Sequence, residues 1–244
     1  MKKSVLIIAF LFVSFESNSQ VLISLLLGDK LNTDKLEFGL EFGSNFSYIT
    51  QFESQTLLPN LNLGFYFDIK LKNQLYLNTG LDVKSNMGVS KLTDNDIALL
   101  NARTYSNPGD YKLKTNNFLV PALIRYRFKN HFYVEAGPQF ILTYNSYIEY
   151  TSDHDGLEAR IRQINKDDIN KFDVGAMGGL GYIFKKGKGL TLGVKYYFGF
   201  IDVMKTIPGK KNSSILLKLN VPIGREKAAK KATKKAEEKK NENP

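Results

Sequence analysis

The chain has 244 residues and carries 34 Lys and Arg against 24 Asp and Glu, a formal net charge of +10. It has no cysteine, which excludes a disulfide framework, a thiolate metal site and a lipid-anchored cysteine. Aromatics make up 12% of the residues, all Tyr and Phe with no Trp, and together with 19 glycines they suit the strands of one barrel-sized domain.

Residues 1–19, MKKSVLIIAFLFVSFESNS, begin with Lys2 and Lys3, continue through an apolar run from Val5 to Val13 and place Ser17 and Ser19 just before Gln20. This is the layout of a secretory signal peptide, and the run is shorter than the roughly 20 apolar residues of a spanning helix. The mature chain is expected to leave the cytoplasm, which removes nucleic acid from its partners. Residues 20–35 follow as a short periplasmic segment, and no later apolar run is long enough to span as a helix. A membrane span here has to be made of strands.

Residues 36–48, LEFGLEFGSNFSY, set Leu36, Phe38, Leu40, Phe42 and Phe46 against Glu37, Gly39, Glu41, Gly43, Asn45 and Ser47. Strand side chains alternate between two faces, so this is a strand with one apolar face and one polar face. Seven more segments follow the same pattern. Residues 60–71 oppose Leu61, Leu63, Phe65 and Phe67 to Asn62, Gly64, Asp68 and Lys70. Residues 74–84 oppose Leu75, Leu77, Leu81 and Val83 to Asn78, Gly80, Asp82 and Lys84. Residues 117–128 are the least regular: Arg125 and Arg127 share the polar side with Leu119 and Leu123, and Pro121 removes a ladder donor. Residues 131–145, 172–184, 190–200 and 213–223 complete the set, with Glu135, Asp173, Lys195 and Lys218 on their polar sides. Eight strands close a barrel whose interior is just filled by side chains.

The connections alternate in length. Lys72–Asn73, Lys129–Asn130 and Lys185–Gly189 are short and basic, whereas 49–59, 85–116, 146–171 and 201–212 are long. An even strand number with short turns at one end and long loops at the other is the layout of an outer-membrane barrel with both termini in the periplasm. The expected fold is all-β, an eight-stranded antiparallel up-and-down transmembrane barrel over residues 36–223. Phe38, Leu40 and Phe42 are then expected to meet acyl chains, and Glu37 and Glu41 to face the lumen.

The segments VLISLLLGDKLNTDKLEFGLEFG, NNFLVPALIRYRF, FYVEAGPQFILTY and FDVGAMGGLGYIF resemble the small outer-membrane β-barrel proteins of Bacteroidetes, the porin family of PorT-like type. The resemblance covers residues 20–223 and consists of strand patterns, not active-site signatures. It implies an eight-stranded barrel in a Gram-negative outer membrane and no defined activity. The chain departs from that pattern where strand eight ends in Val221, Pro222 and Ile223 and a charged tail follows.

The expected lumen charges are Glu37, Glu41, Asp68, Asp82, Glu135 and Asp173 against Lys70, Lys84, Arg125, Arg127, Lys195 and Lys218. Buried charges are costly unless paired, so an ion-pair plug is expected ahead of a small porin channel. A rim enzyme acting on lipid needs a histidine beside a nucleophile. Only His131 and His154 exist, and neither lies in a nucleophile motif. Asp153, His154 and Asp155 match no calcium-loop spacing. No catalytic residue, cofactor or metal site is therefore assigned, and the protein is read as non-enzymatic.

Binding is expected on the long loops. The second carries an apolar patch, Ile97, Leu99 and Leu100, readable as a short helix, a contact site or a lid over the barrel mouth; the third carries a net charge of minus three over residues 149–168. The tail, residues 224–244, has eight basic and four acidic residues and reads either as electrostatic attachment to anionic headgroups or an acidic partner, or as a solvated extension. The first functional reading is a membrane anchor, scaffold or accessory subunit that binds outer-membrane lipid and another envelope protein. A small porin is the alternative.

Overall fold

The computed structural model describes residues 32–33, 35–154, 157–187 and 189–223. The signal peptide, most of the segment 20–35, the tail and Asp155 lie outside the described residues. The chain divides into two compact units, residues 1–39 with 222–244, and Leu40–Val221. In the first, the Asn32 amide donates to the Ile223 carbonyl (2.5 Å) and its oxygen accepts the Phe38 N–H (2.9 Å). Phe38, expected on the lipid face, is only 7% exposed. Its N–H donates to the Asn32 side-chain oxygen and its carbonyl accepts the Ile223 N–H.

In the second unit the strands are β1 (Leu36–Ile49, entering from the first), β2 (Leu58–Lys72), β3 (Leu75–Val89), β4 (Asp110–Arg127), β5 (Phe132–His154), β6 (Leu157–Ile164), β7 (Phe172–Ile183), β8 (Thr191–Asp202) and β9 (Lys211–Pro222). The helix α1 (Asp94–Leu99) lies between β3 and β4, and a helical turn α2 (Phe184–Gly187) follows β7. The sheet order is β4-β3-β2-β1-β9-β8-β7-β5, and β5 pairs back onto β4, so eight antiparallel strands form a ring; β6 hangs from β5 outside it.

The ring has the eight members that alternation predicts; β6, a strand outside it, falls in the segment where alternation predicts a long loop. β4 and β5 run to 18 and 23 residues, longer than the 9 to 11 a tilted strand needs to cross a bilayer. β5 pairs with β7 only as far as Leu142 and with β6 from Tyr147 onward. The β5–β6 hairpin therefore projects beyond the ring at the end where the long loops gather.

Alternation sends Leu63, Ile124, Val134, Leu142, Leu180, Leu192 and Leu217 to the outer wall, where they are exposed. Aromatic rings band this wall at two levels. Phe132, Tyr182 and Phe184 stack edge-on at the turn end (5.0 and 5.1 Å), while Phe118–Tyr144 and Phe140–Phe172 pair toward the loop end (4.9 and 6.4 Å). From Phe132 to Tyr144, at about 3.3 Å per residue and a tilt near 40°, the belt is roughly 30 Å tall, close to the apolar thickness of a bilayer.

One expected lumen residue lies elsewhere. Lys84 is exposed because the β3–β4 register shifts between Asp82 and Ser85; this bulge moves the strand out of phase, so that Ser85 is buried in its place. Lys70 stays in phase with Asp68, opposite Tyr76 on the inner face, and is exposed at the turn end of the strand pair.

Candidate functional site: a layered lumen and a packed loop head

The lumen is built in layers that can be read along single strands. On β9, going from the turn end, Lys218 is followed by Leu216, then Ser214 and Asn212; on β4, Arg125 is followed by Leu123 and Leu119, then Asn117 and Thr115, then Leu113. Charge, apolar contact, neutral polarity and apolar contact succeed one another along the axis.

Four carboxylates meet four cations in the charged layer. Arg125 is 1% exposed; its Nη1 donates to Asp68 Oδ2 (2.6 Å) and its Nε to Glu135 Oε2 (2.7 Å), with the guanidinium 4.3 Å from the centre of the Tyr133 ring. Arg127 also pairs with Asp68 and lies over the Tyr76 ring at 3.9 Å. Lys195 reaches Glu135 Oε1 (3.1 Å) and donates to Asn78 Oδ1 (3.4 Å), while Asn78 donates to Asp68 Oδ1 (2.7 Å). Lys218 donates to Glu41 Oε1 and Asp82 Oδ2, both at 2.6 Å. The structure thus brings together Glu41, Asp68, Asp82, Arg125, Arg127, Glu135, Lys195 and Lys218. Glu37 is half-buried near the start of β1, in the first unit.

Asp173 belongs to a different layer. It is buried beyond the apolar residues, where it accepts from Asn212 Nδ2 (3.0 Å) and the Ile201 N–H (3.2 Å). It sits at the loop end of β7, several residues along from the level of Lys195 on the neighbouring β8, and this separates it from the ion pairs.

Between the charged and neutral layers lie Met87, Leu119, Leu123, Ile141, Met177, Tyr197 and Leu216. Leu119 and Leu123, which look misplaced in the sequence, are both 0% exposed and form the centre of this layer. The lumen is therefore not uniformly polar: an apolar disc closes it as well. Glycines on the inner face make room for the large groups. A Cβ on Gly193 would lie 2.2 Å from the Tyr133 hydroxyl, and one on Gly179 would lie 2.9 Å from the Lys195 side chain.

Beyond the neutral layer the long connections pack together. Ile49 and Phe52 from the first, Leu92, Ile97 and Leu100 from the second, Ile148, Tyr150 and Ile169 from the third, and Val203 and Met204 from the fourth share one apolar core with Val89, Tyr111 and Leu113. Of the readings open for the apolar patch of the second loop, the structure combines two: a short helix, α1, that buries Ile97 within a lid. Thr93 and Asp96 form a capping box at its start. The Asp96 carboxylate reaches on to accept the N–H groups of Glu53 and Ser54 (both 2.9 Å), so one side chain fastens the first loop to the second. Lys210 of the fourth loop donates to the Gln51 carbonyl and lies over the Phe52 ring at 4.9 Å.

At the base of the projecting hairpin, buried Glu149 accepts from Lys114 Nζ (2.7 Å) and Arg162 Nε (2.9 Å), joining β4, β5 and β6. Burial pushes the Glu149 carboxyl upward, but the hydrogen bonds from Lys114 and Arg162 outweigh it and hold the group below its usual range. A carboxyl lowered in the folded state contributes stability above its unfolded pKa, and that contribution is lost as pH falls through the folded one. Amide-exchange protection of the β5–β6 hairpin is therefore expected to be full near neutrality and to fall on acidification below pH about 4.5. A Glu149→Gln variant should show weaker protection at neutral pH and little further loss in acid; equal pH dependence in both proteins would assign the effect to other groups.

Among the described residues no cluster of three or more metal-ligating side chains occurs, and no helix is long and apolar enough to cross a membrane, which says nothing of a barrel. A closed eight-strand ring with a banded apolar exterior and a filled interior defines a transmembrane β-barrel protein. The chain belongs to the outer membrane protein beta-barrel domain family, whose pattern it matches over residues 18–205. No curated protein matches the sequence. Similar solved structures include Neisserial surface protein A (11% identity, TM-score 0.38, 76% of this chain and 96% of that one). The attachment invasion locus protein Ail of Yersinia pestis, in complex with the heparin analogue sucrose octasulfate, is also similar (8%, 0.40, 78% and 98%). So is the outer membrane protein OprG from Pseudomonas aeruginosa (8%, 0.31, 77% and 91%).

Proposed function

We propose that this barrel is a non-enzymatic anchor or accessory subunit of an envelope complex, with its loop head outside the cell and both termini in the periplasm. The observation that carries the reading is the double closure of the lumen. An ion-pair layer and an apolar layer fill the ring, and a head with its own core covers one mouth. A barrel of eight strands so filled leaves binding to its exterior: lipid along the apolar belt, another envelope protein at the head or through the basic tail.

Planar-bilayer recording of the purified protein is expected to give no steady conductance, and the Arg125→Ala variant is expected to stay closed because Leu119, Leu123 and Leu216 still block the axis. Steady ionic current altered by Arg125→Ala would replace the anchor with a small porin. Native sizing after gentle detergent extraction tests the remaining half of the reading. A stoichiometric second protein is the expected result, and recovery as a lone barrel would remove the accessory-subunit role.

A further inference from the structure

β6 ends the sheet: it pairs with β5 on one side and with no described strand on the other. The register fixes which of its backbone groups face outward. Ladder bonds alternate along an antiparallel pair. The Asn165 N–H bonds the Ser146 carbonyl at 3.2 Å, so the mutually bonded pairs continue as Ile148 with Gln163, Tyr150 with Ile161 and Ser152 with Ala159. Glu158, Arg160 and Arg162 therefore turn their N–H and C=O groups away from β5. Among the described residues no backbone hydrogen bond outside the β5–β6 ladder reaches those groups.

The side chains on this edge state what a neighbouring strand must carry. Arg160 and Arg162 lie on one face; Arg162 spends its Nε on Glu149 and remains 50% exposed, over the Tyr147 ring at 4.7 Å. Ile161, on the other face, is 39% exposed. At the hairpin tip Glu158 stands opposite Asp153. A strand laid alongside is matched by acidic residues at alternate positions beside the two arginines, apolar residues between them over Ile161, and a basic residue at the tip. A second copy of this chain does not meet those terms. Two copies in one membrane point the same way, so their β6 strands cannot pair antiparallel, and a parallel pairing sets arginines against arginines.

We propose that the outer edge of β6 is a docking site for an extended segment of another envelope protein, alternating acidic and apolar residues, added as a further strand of the head. This rests on the anchor reading and names its contact surface. The probe is a fluorescent octapeptide of alternating Glu and Val with a terminal Lys, titrated by anisotropy against the full protein in nanodiscs. Arg160→Pro deletes one outward N–H and leaves the β5 ladder untouched, which protected Ile161 and Gln163 amides will verify. It is expected to weaken binding at least tenfold. Arg160→Glu keeps the backbone and should shift preference at least tenfold toward the corresponding Lys and Val peptide.

No binding of the Glu peptide to the unmodified protein, equal binding by Arg160→Pro, or equal binding of both peptides would overturn the proposal. If the edge fails these tests while native extraction still yields a stoichiometric partner, the anchor reading stands and the contact lies elsewhere. If the barrel is always recovered alone while the Glu peptide binds the edge, the accessory-subunit role fails and the docking edge remains.

Discussion

Replacing Arg125 by alanine is expected to lower the unfolding free energy of the barrel by about 3–5 kcal/mol, the usual cost of removing one member of a buried ion-pair group. Arg125 joins Asp68 to Glu135 across β2, β4 and β5, and all three side chains are almost fully buried. Its loss leaves Asp68 with Arg127 and Asn78, and Glu135 with Lys195, in a space too enclosed for water to replace the guanidinium. The measurement is urea-induced unfolding of the folded protein in phospholipid vesicles. Lys70→Ala, at an exposed position, serves as the comparison and should lie within about 0.5 kcal/mol of the unmodified protein. A change of similar size for both would show that the ion-pair layer adds nothing to stability. Arg125→Lys is expected to rescue only partly, because an ammonium cannot span two carboxylates with the planar fork of a guanidinium.

The second large effect is expected at a glycine. Tyr133 on β5, Gly181 on β7 and Gly193 on β8 lie side by side in the ring, and the phenol reaches across both glycines. A methyl group on Gly193 would sit 2.2 Å from the Tyr133 oxygen and 3.3 Å from the Leu180 carbonyl. The ring cannot swing freely, because Arg125 stacks on it. Gly193→Ala is therefore expected to destabilise by about 1–3 kcal/mol, the range for overpacking a filled interior. Removing the hydroxyl opens part of that space, so the Gly193→Ala and Tyr133→Phe pair should cost less than the sum of the two single changes. Additive effects in the double-mutant cycle would place the strain on the backbone of β8 instead.

Both variants act in a part of the molecule that alternation in the sequence makes legible. Acids, bases and glycines repeat every second residue opposite Leu and Phe, which is enough to place the ring strands and most of the charged layer. Legibility fails where that contrast fails. Residues 146–164 alternate Tyr147, Glu149 and Thr151 with Ile148, Tyr150 and Ser152. Beyond the bilayer neither face meets acyl chains, so the apolar signal splits between a small head core and an ion-pair site, and the hairpin reads as loop. Alternation puts Lys84 on the wrong face because a bulge adds half a period that no alternating pattern reveals. Alternation puts Leu119 and Leu123 on the correct face, but an apolar disc inside a polar lumen shows only when Leu216, Met177 and Ile141 are brought together with them. The head core draws on four connections far apart in sequence, and no local pattern announces that they meet.

Lys218 sets an expected order for closing the ring. It sits on the last strand and bonds Glu41 on the first and Asp82 on the third, residues separated from it by 177 and 136 positions. Contacts so distant along the chain form late, after the entropy of closing the intervening loop has been met. Until β9 arrives, β1 and β8 each present an open edge, and Glu41 and Asp82 lack the ammonium that pairs with them. The arrival of β9 closes the hydrogen-bond circuit and brings one ammonium within hydrogen-bond reach of both acids. Closure of this seam pairs the last two open strand edges of the ring, so a chain lacking β9 is expected to expose both.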